Sequence, residues 1–165
     1  MTERAELITR VWTLRRALAS DALRVTECVH AAYAHWVPRI GRQPGPMLQD
    51  YAAVIATEQV FVAEKGGPDT RDLMDSLVGV LVLSETEEGL LVDNVAVLPS
   101  MKGLGLGRAL LVHAECVAVA KGYHSIYLYT NEKMTENIAL YAKAGYLEYE
   151  RRTEREIPVV ILQPR

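Results

Sequence analysis

Asp93-Asn94-Val95-Ala96-Val97-Leu98-Pro99-Ser100-Met101-Lys102-Gly103-Leu104-Gly105-Leu106-Gly107-Arg108-Ala109-Leu110-Leu111 opens as a β-branched, strand-like run. Pro99 stops the run, and three alternating glycines lead into an Ala/Leu-rich helix. Without a Cβ, glycine lets the backbone turn its N–H groups inward and lets a ligand approach closely. The helix that follows adds unpaired N–H groups and the positive end of its dipole. Together these predict an anion site suited to phosphate. Arg108 falls in the first helical turn, where a cation opposes the dipole, so it is better explained if it faces a bound anion. Lys102 stands on the other side of the turn.

The spacing narrows the ligand. A P-loop needs G-x-x-x-x-G-K-[ST], and the chain has no Gly-Lys-Ser or Gly-Lys-Thr. The dinucleotide fingerprint G-x-G-x-x-G, counted from Gly105, meets Leu110 where its third glycine should stand. A nucleotide-binding module therefore stays only as the alternative from another class.

The order Val95-x-Val97-x-Pro99, Lys102, Gly103-x-Gly105-x-Gly107, Arg108, Leu110-Leu111 resembles the acyl-CoA-binding motif of the GNAT superfamily of N-acyltransferases. The family pattern Gln/Arg-x-x-Gly-x-Gly/Ala is matched by Lys102 to Gly107. Lys102 keeps the charge of the first position but lacks the bidentate fork of arginine. A second family signature, an Asn and an Ala-rich turn before Leu-Tyr-x-x-x-Gly-Phe/Tyr, is matched by Asn137-Ile138-Ala139-Leu140-Tyr141-Ala142-Lys143-Ala144-Gly145-Tyr146. The two motifs stand in the family's order, with a helix and a strand between them.

Length and composition agree with an enzyme domain. The 165 residues, half of them hydrophobic and 24% charged, suffice for one packed domain spanning 1–165. A net charge of -3 gives no basic footprint for nucleic acid. No apolar run approaches membrane-spanning length, the first residues are polar, and Cys28 and Cys116 are expected as buried, reduced thiols. These point to the cytoplasm. His30, His35, His113 and His124 show no metal-ligand grouping, so no metal is expected.

Along the chain we expect a first edge strand at 11–16, then a helix capped at Ser20-Asp21 and ending in the aromatics Tyr33 and Trp36. The loop 41–46 leads to a helix from Leu48 to Thr57. Strands follow at 59–64 and 77–83, joined by a long hairpin loop from Gly66, and then the opening strand to Leu98. The glycine-rich helix stops at Gly122, a strand covers 125–130, and a helix covers 134–144. Strands at 146–150 and 157–162, joined by a charged turn at 151–154, close the chain. The fold class is α/β (α+β): a mixed, mostly antiparallel central sheet flanked by helices, as in the acyl-CoA N-acyltransferase fold.

The resemblance implies a chemistry. Acetyl-CoA would be the co-substrate, and a primary amine of a small molecule or peptide the acceptor. The main chain of Val95, Ala96 and Val97 would hold the thioester carbonyl and the pantetheine arm. The segment Lys102, Gly103, Leu104, Gly105, Leu106, Gly107 and Arg108 would hold the pyrophosphate. An asparagine also touches the cofactor in many members; Met134 occupies that position here, which leaves Asn131 and Asn137 as candidates. Tyr141 matches the acid that protonates the departing thiolate, although its helical face, shared with Ile138 and Ala142, would also suit a core residue. The position of a glutamate base is Tyr129, so Asp93 is the base candidate, directly or through a water. Tyr33, Trp36 and Tyr51 flank the loop where the family builds its acceptor pocket; they line it or merely pack the helix ends. Dimerisation is common in this fold, which leaves a homodimer open. An acyl-CoA-binding regulatory protein is the alternative within the fold.

Overall fold

Val78-Gly79-Val80-Leu81-Val82-Leu83 and Leu90-Leu91-Val92 are apolar at every position, the pattern of strands covered on both faces. In the computed structural model, which describes residues 12–66, 77–154 and 157–164, these segments form the middle of one seven-stranded sheet. Its strands are β1 (Trp12–Arg16), β2 (Gln59–Lys65), β3 (Leu77–Thr86), β4 (Gly89–Val97), β5 (Ile126–Asn131), β6 (Tyr146–Glu154) and β7 (Ile157–Pro164). Their order across the sheet is β1-β2-β3-β4-β5-β7-β6. Every neighbouring pair is antiparallel except β4 with β5.

Five helices of the described residues cover the sheet: α1 (Ala22–Tyr33), α2 (Val37–Ile40), α3 (Tyr51–Thr57), α4 (Leu106–Ala120) and α5 (Thr135–Lys143). On one face α4 packs over β3 and β4, and Leu106, Leu110, Leu111 and Ala114 join a core that reaches Tyr141 and Tyr146. On the other face α1 and α3 bury Val25, Val29, Tyr33 and Tyr51 against Val60, Val80 and Ala96. None of these helices is long and apolar enough to cross a membrane.

Two features of β4 create the cleft. First, Val82 pairs with Asn94 while Leu83 pairs with Val92, so Asp93 is an extra, bulged residue. Side chains alternate along a strand, so one inserted residue exchanges the faces beyond it. Leu90 and Val92 join the α4 core, whereas Ala96 belongs to the α1 core. Second, β4 meets β5 only at Leu90–Ile126, Leu91–Tyr127 and Val92–Leu128. Beyond Val92 the strands diverge, and β5 pairs on with β7 from Leu128 to Asn131. Among the described residues, the last ones of β4 are left with no strand on that side.

Several expectations need correction. Residues 151–154 continue β6 rather than turning, because Arg151 to Glu154 pair with β7. The helix expected from Leu48 begins at Tyr51, where Asp50 caps it by accepting from the Ala52 N–H at 3.1 Å; Gly45–Leu48 is a separate 3-10 turn. Cys28 is buried as expected, but Cys116 is exposed, on the outer side of α4. The hairpin loop expected after Gly66 lies outside the described residues from 67 to 76.

The expected cap at Ser20-Asp21 is instead an ion-pair centre. Asp21 is 1% exposed and accepts from Arg15 at 2.7 and 2.9 Å, from Arg24, and from the Leu18 N–H at 2.7 Å. Arg15 also donates to Glu64 on β2 at 2.8 Å, which ties the start of α1 to the sheet. The Arg15 guanidinium lowers the Asp21 carboxyl from 3.8 to about 2. A depressed acid stabilises the fold above its unfolded value and loses that contribution as pH falls through the folded one. At 1.36 kcal/mol per pH unit the difference corresponds to about 2 kcal/mol. Asp21→Asn should therefore lower the melting temperature by about 4–8 °C at pH 7. Differential scanning calorimetry should find the deficit shrinking between pH 4 and pH 2; a constant deficit would show that packing, not charge, is lost.

Candidate active site

The glycine turn leaves the sheet at Leu98, makes a 3-10 turn over Pro99–Met101, and reaches α4 through two left-handed residues, Gly103 (φ 79) and Gly105 (φ 86). A side chain at either position would meet the steric cost of the left-handed region. The first hydrogen bond into the helix is Ala109 N–H to Gly105 C=O at 3.0 Å. The N–H groups of Leu106, Gly107 and Arg108 are therefore available to a ligand, at the positive end of the 15-residue helix.

These groups edge a cleft of about 670 Å³ between β4, α4 and α5. Its walls include Val95 and Val97 of β4, and Leu140 and Tyr141 of α5. Lys102, Arg108 and Lys143 also face it, and none forms an ion pair among the described residues. Three uncommitted cations around free N–H groups suit a polyanion. His35 lines the same cleft, and burial together with Lys102 lowers its pKa. Glu136, the acidic wall residue, is neutralised by Arg39 at 2.6 Å.

On the far side of the β4–β5 gap is a smaller crevice of about 170 Å³, lined among others by Asp93, Tyr129 and Asn131. Tyr33, Asn137 and Tyr141 line both spaces, so the two meet at these residues. The Tyr141 hydroxyl makes no hydrogen bond among the described residues, and burial pushes its pKa up to about 12. It stays protonated over the whole working range of an enzyme. Asp93 projects from the β4 bulge and is exposed to solvent by area. The crowding of protein around it and, secondarily, Glu58 raise its carboxyl above the ordinary value.

Asn94, beside Asp93, is 4% exposed and organises a polar network that sequence reasoning missed. Tyr33 donates to its Oδ1 at 2.8 Å and to the Val95 carbonyl at 3.3 Å. The Asn94 amide donates to the Tyr51 hydroxyl at 3.0 Å, which donates to the Pro46 carbonyl at 2.6 Å. The network pins α1, α3 and the 41–46 loop to the bulged strand. A polar residue next to Asp93 in so apolar a strand was the available signal.

The sequence candidates thus divide. Lys102, Gly103, Gly105, Leu106, Gly107, Arg108, Val95 and Val97 gather on the large cleft. Leu104 does not line it and is 55% exposed, and the Ala96 side chain is buried in the α1 core, which leaves only its main chain. Asn137 borders both spaces, whereas Asn131 lines only the smaller one and accepts from the Lys133 N–H at 2.9 Å. Trp36 sits on the large cleft, and Tyr51 faces a separate niche of about 120 Å³ that Asp93 shares. Tyr129 accepts from Arg152 at 2.7 Å. No cluster of three metal-ligating side chains occurs among the described residues.

Comparison with known proteins gives the same outline. The model of the acetyltransferase (GNAT) domain matches residues 56–148, more than half of the chain and all of the cleft-forming strands and helices from β2 to α5. A GCN5-related N-acetyltransferase from Rhodopseudomonas palustris superposes with a TM-score of 0.72 at 19% identity, over 92% of this chain and 94% of that one. A GNAT family acetyltransferase from Elizabethkingia anophelis with acetyl-CoA bound gives 0.68 at 15% identity, over 93% and 97%. The ribosomal-protein-S18-alanine N-acetyltransferase of Escherichia coli gives 0.69 at 18% identity, over 93% and 92%. At these identities the likeness is one of fold. No curated protein matches the sequence.

Proposed function

The chain belongs to the GNAT acetyltransferase family and is an acetyl-CoA-dependent acyltransferase, and from that premise we propose that it acetylates a primary amine of a small molecule or peptide by direct attack. One observation carries the reading: a phosphate-suited cleft and a smaller crevice meet where β4 loses its strand partner and the Tyr141 hydroxyl is free.

The donor fits the residues present. Free N–H groups from Gly103 to Arg108 hold the pyrophosphate, with Lys102 and Arg108 beside them. The main chain of Val95, Ala96 and Val97 takes the pantetheine arm and thioester carbonyl as an added strand. Asn137, which reaches both spaces, is the better of the two asparagines for the cofactor. Acetyl-CoA supplies an activated acyl carbon and a thiolate leaving group.

Asp93, directly or through a water, removes the proton of the incoming ammonium and frees its lone pair. The amine nitrogen then forms the C–N bond, the C–S bond breaks, and its electron pair leaves on sulfur. Tyr141 donates to that sulfur, and the second proton shed by the nitrogen as it becomes an amide restores the phenol through solvent, so that the N-acetylated amine and the free CoA thiol leave. Tyr33 shapes the junction, while Trp36 and Tyr51 stand further from it as part of the walls. We read residues 1–165 as a single domain, supported by one sheet that runs from Trp12 to Pro164. The free, exposed Cys116 fits a reducing, cytoplasmic setting.

A thermal-shift titration tests the reading, because a ligand at 100 times its Kd stabilises the native state by about 2.7 kcal/mol. Acetyl-CoA and CoA should each stabilise the protein, and NAD and ATP should not. An amine panel with acetyl-CoA should then yield acetylated product by mass spectrometry. Stabilisation by NAD or ATP without acetyl-CoA would overturn the assignment.

A further inference from the structure

The smaller crevice carries two charges of opposite sign. Asp93 on the β4 bulge and Arg42 on the 41–46 loop are the charged residues of its wall, and the rest is largely aromatic, apolar or amide. Neither is neutralised. Among the described residues Asp93 forms no ion pair, Arg42 forms neither ion pair nor hydrogen bond, and the two do not pair with each other within 4.0 Å. Arg39, three residues before Arg42, behaves differently, being held by Glu136 and stacked over Trp36 at 4.9 Å.

Two opposite, unpaired charges in one small space ask for a ligand with both complements. We infer that the acceptor is a small aminocarboxylate, its amine end at Asp93 and its carboxylate at Arg42. The inference rests on the acetyltransferase reading and deepens it, because Asp93 and Arg42 line the same crevice as Tyr141, which also borders the donor cleft. A polyamine would place a second cation near Arg42, and an anion without an amine would face Asp93 and its neighbour Glu58. Both arrangements put like charges together. Size agrees: about 170 Å³ is well below the ~300–1,000 Å³ of pockets that enclose drug-sized ligands. The guanidinium fork suits a carboxylate bidentately, so lysine is an imperfect replacement. The reaction is the transfer already written, and its product is an N-acetylated amino acid.

Matched pairs test it: free α-, β- and γ-amino acids, each against its own carboxamide, with a polyamine as a third class. At saturating acetyl-CoA, at least one free acid should exceed its carboxamide at least tenfold in kcat/KM. Arg42→Gln should raise the KM of that acid by about 10–100-fold, given the strength of charge-assisted hydrogen bonds. The loss should be confined to the acid, and Arg42→Lys should fall between. Carboxamides or polyamines used as well as the acids, or an equal loss on both members of a pair, would overturn the aminocarboxylate inference and leave the acetyltransferase reading standing. If no amine is acetylated and acetyl-CoA gives no thermal shift, both fall.

Discussion

Gly107→Glu should abolish acetyl-CoA binding while leaving the fold intact. Gly107 is the second residue of α4, has no positive φ, and a Cβ there would meet Leu140 Cδ2 at 3.8 Å and Val97 Cγ2 at 3.9 Å. Those are ordinary contacts, so an alanine should be accommodated with almost unchanged stability. A glutamate must extend beyond them into the cleft between β4 and α5, and it carries its charge to the helix N-terminus where phosphate would lie. It occupies the anion site with its own anion. We expect at least a 100-fold loss of affinity, which is about 2.7 kcal/mol at 1.36 kcal/mol per decade. The thermal shift given by acetyl-CoA at 100 times the wild-type Kd should nearly vanish while the ligand-free melting temperature stays within a few degrees. Gly105→Glu is a poorer probe, because Gly105 has φ 86 and any side chain there adds roughly 1–2 kcal/mol of strain. A Gly107→Glu protein that still gains full stability from acetyl-CoA would place the pyrophosphate elsewhere.

The glycine turn was legible because its geometry is local. Free N–H groups, alternating glycines and a helix start are properties of consecutive residues, and Asp93 to Leu111 states them all. The second motif was legible for a similar reason, as the two helical turns before Gly145 carry Tyr141 and Asn137 to the same cleft. What the sequence hid is set by register. The bulge at Asp93 depends on how β4 pairs with β3, and no composition rule marks which residue will be left over. Its consequence, the transfer of Ala96 to the opposite core, makes the apolar run from Val95 to Val97 look simpler than it is.

Long-range polar partners were hidden for a related reason. Tyr33 and Tyr51 read either as walls of an acceptor pocket or as packing at the helix ends, and neither reading shows that Asn94 holds their hydroxyls, at separations of 61 and 43 residues. Arg42 is one charge in a Gly/Pro loop, and nothing local marks it. Only the folded chain brings it to the same crevice as Asp93. Asp21 was misread for the opposite reason: its sequence position is a good cap, but Arg15, Arg24 and the Leu18 N–H compete more strongly for its oxygens.

Tyr141→Phe separates the two roles open to that tyrosine and should have the largest effect on turnover. The substitution removes one oxygen and keeps the ring, which lies 6.2 Å from that of Tyr146. Since the hydroxyl has no protein partner among the described residues, its loss leaves no buried group unsatisfied, and stability should change little. A positioned general acid contributes typically 10²–10⁴-fold, so kcat should fall by that order while the KM for acetyl-CoA changes little. A phenol raised to about 12 is a weak donor to an ordinary thiolate near 8.5. The same dry surroundings that lift the phenol, however, also lift the thiol, so donor and acceptor rise together. In the catalytic role the hydroxyl would therefore act chiefly by a hydrogen bond that strengthens as charge develops on sulfur. The pH profile carries a second check. Tyr141 remains protonated until near pH 12, so the wild type should show no falling limb from this residue across the accessible alkaline range. A rising limb is expected from loss of the proton from the amine or, if Asp93 is the base, from its carboxyl. Should the phenylalanine variant keep kcat within twofold, Tyr141 is a core residue and the thiolate takes its proton from solvent.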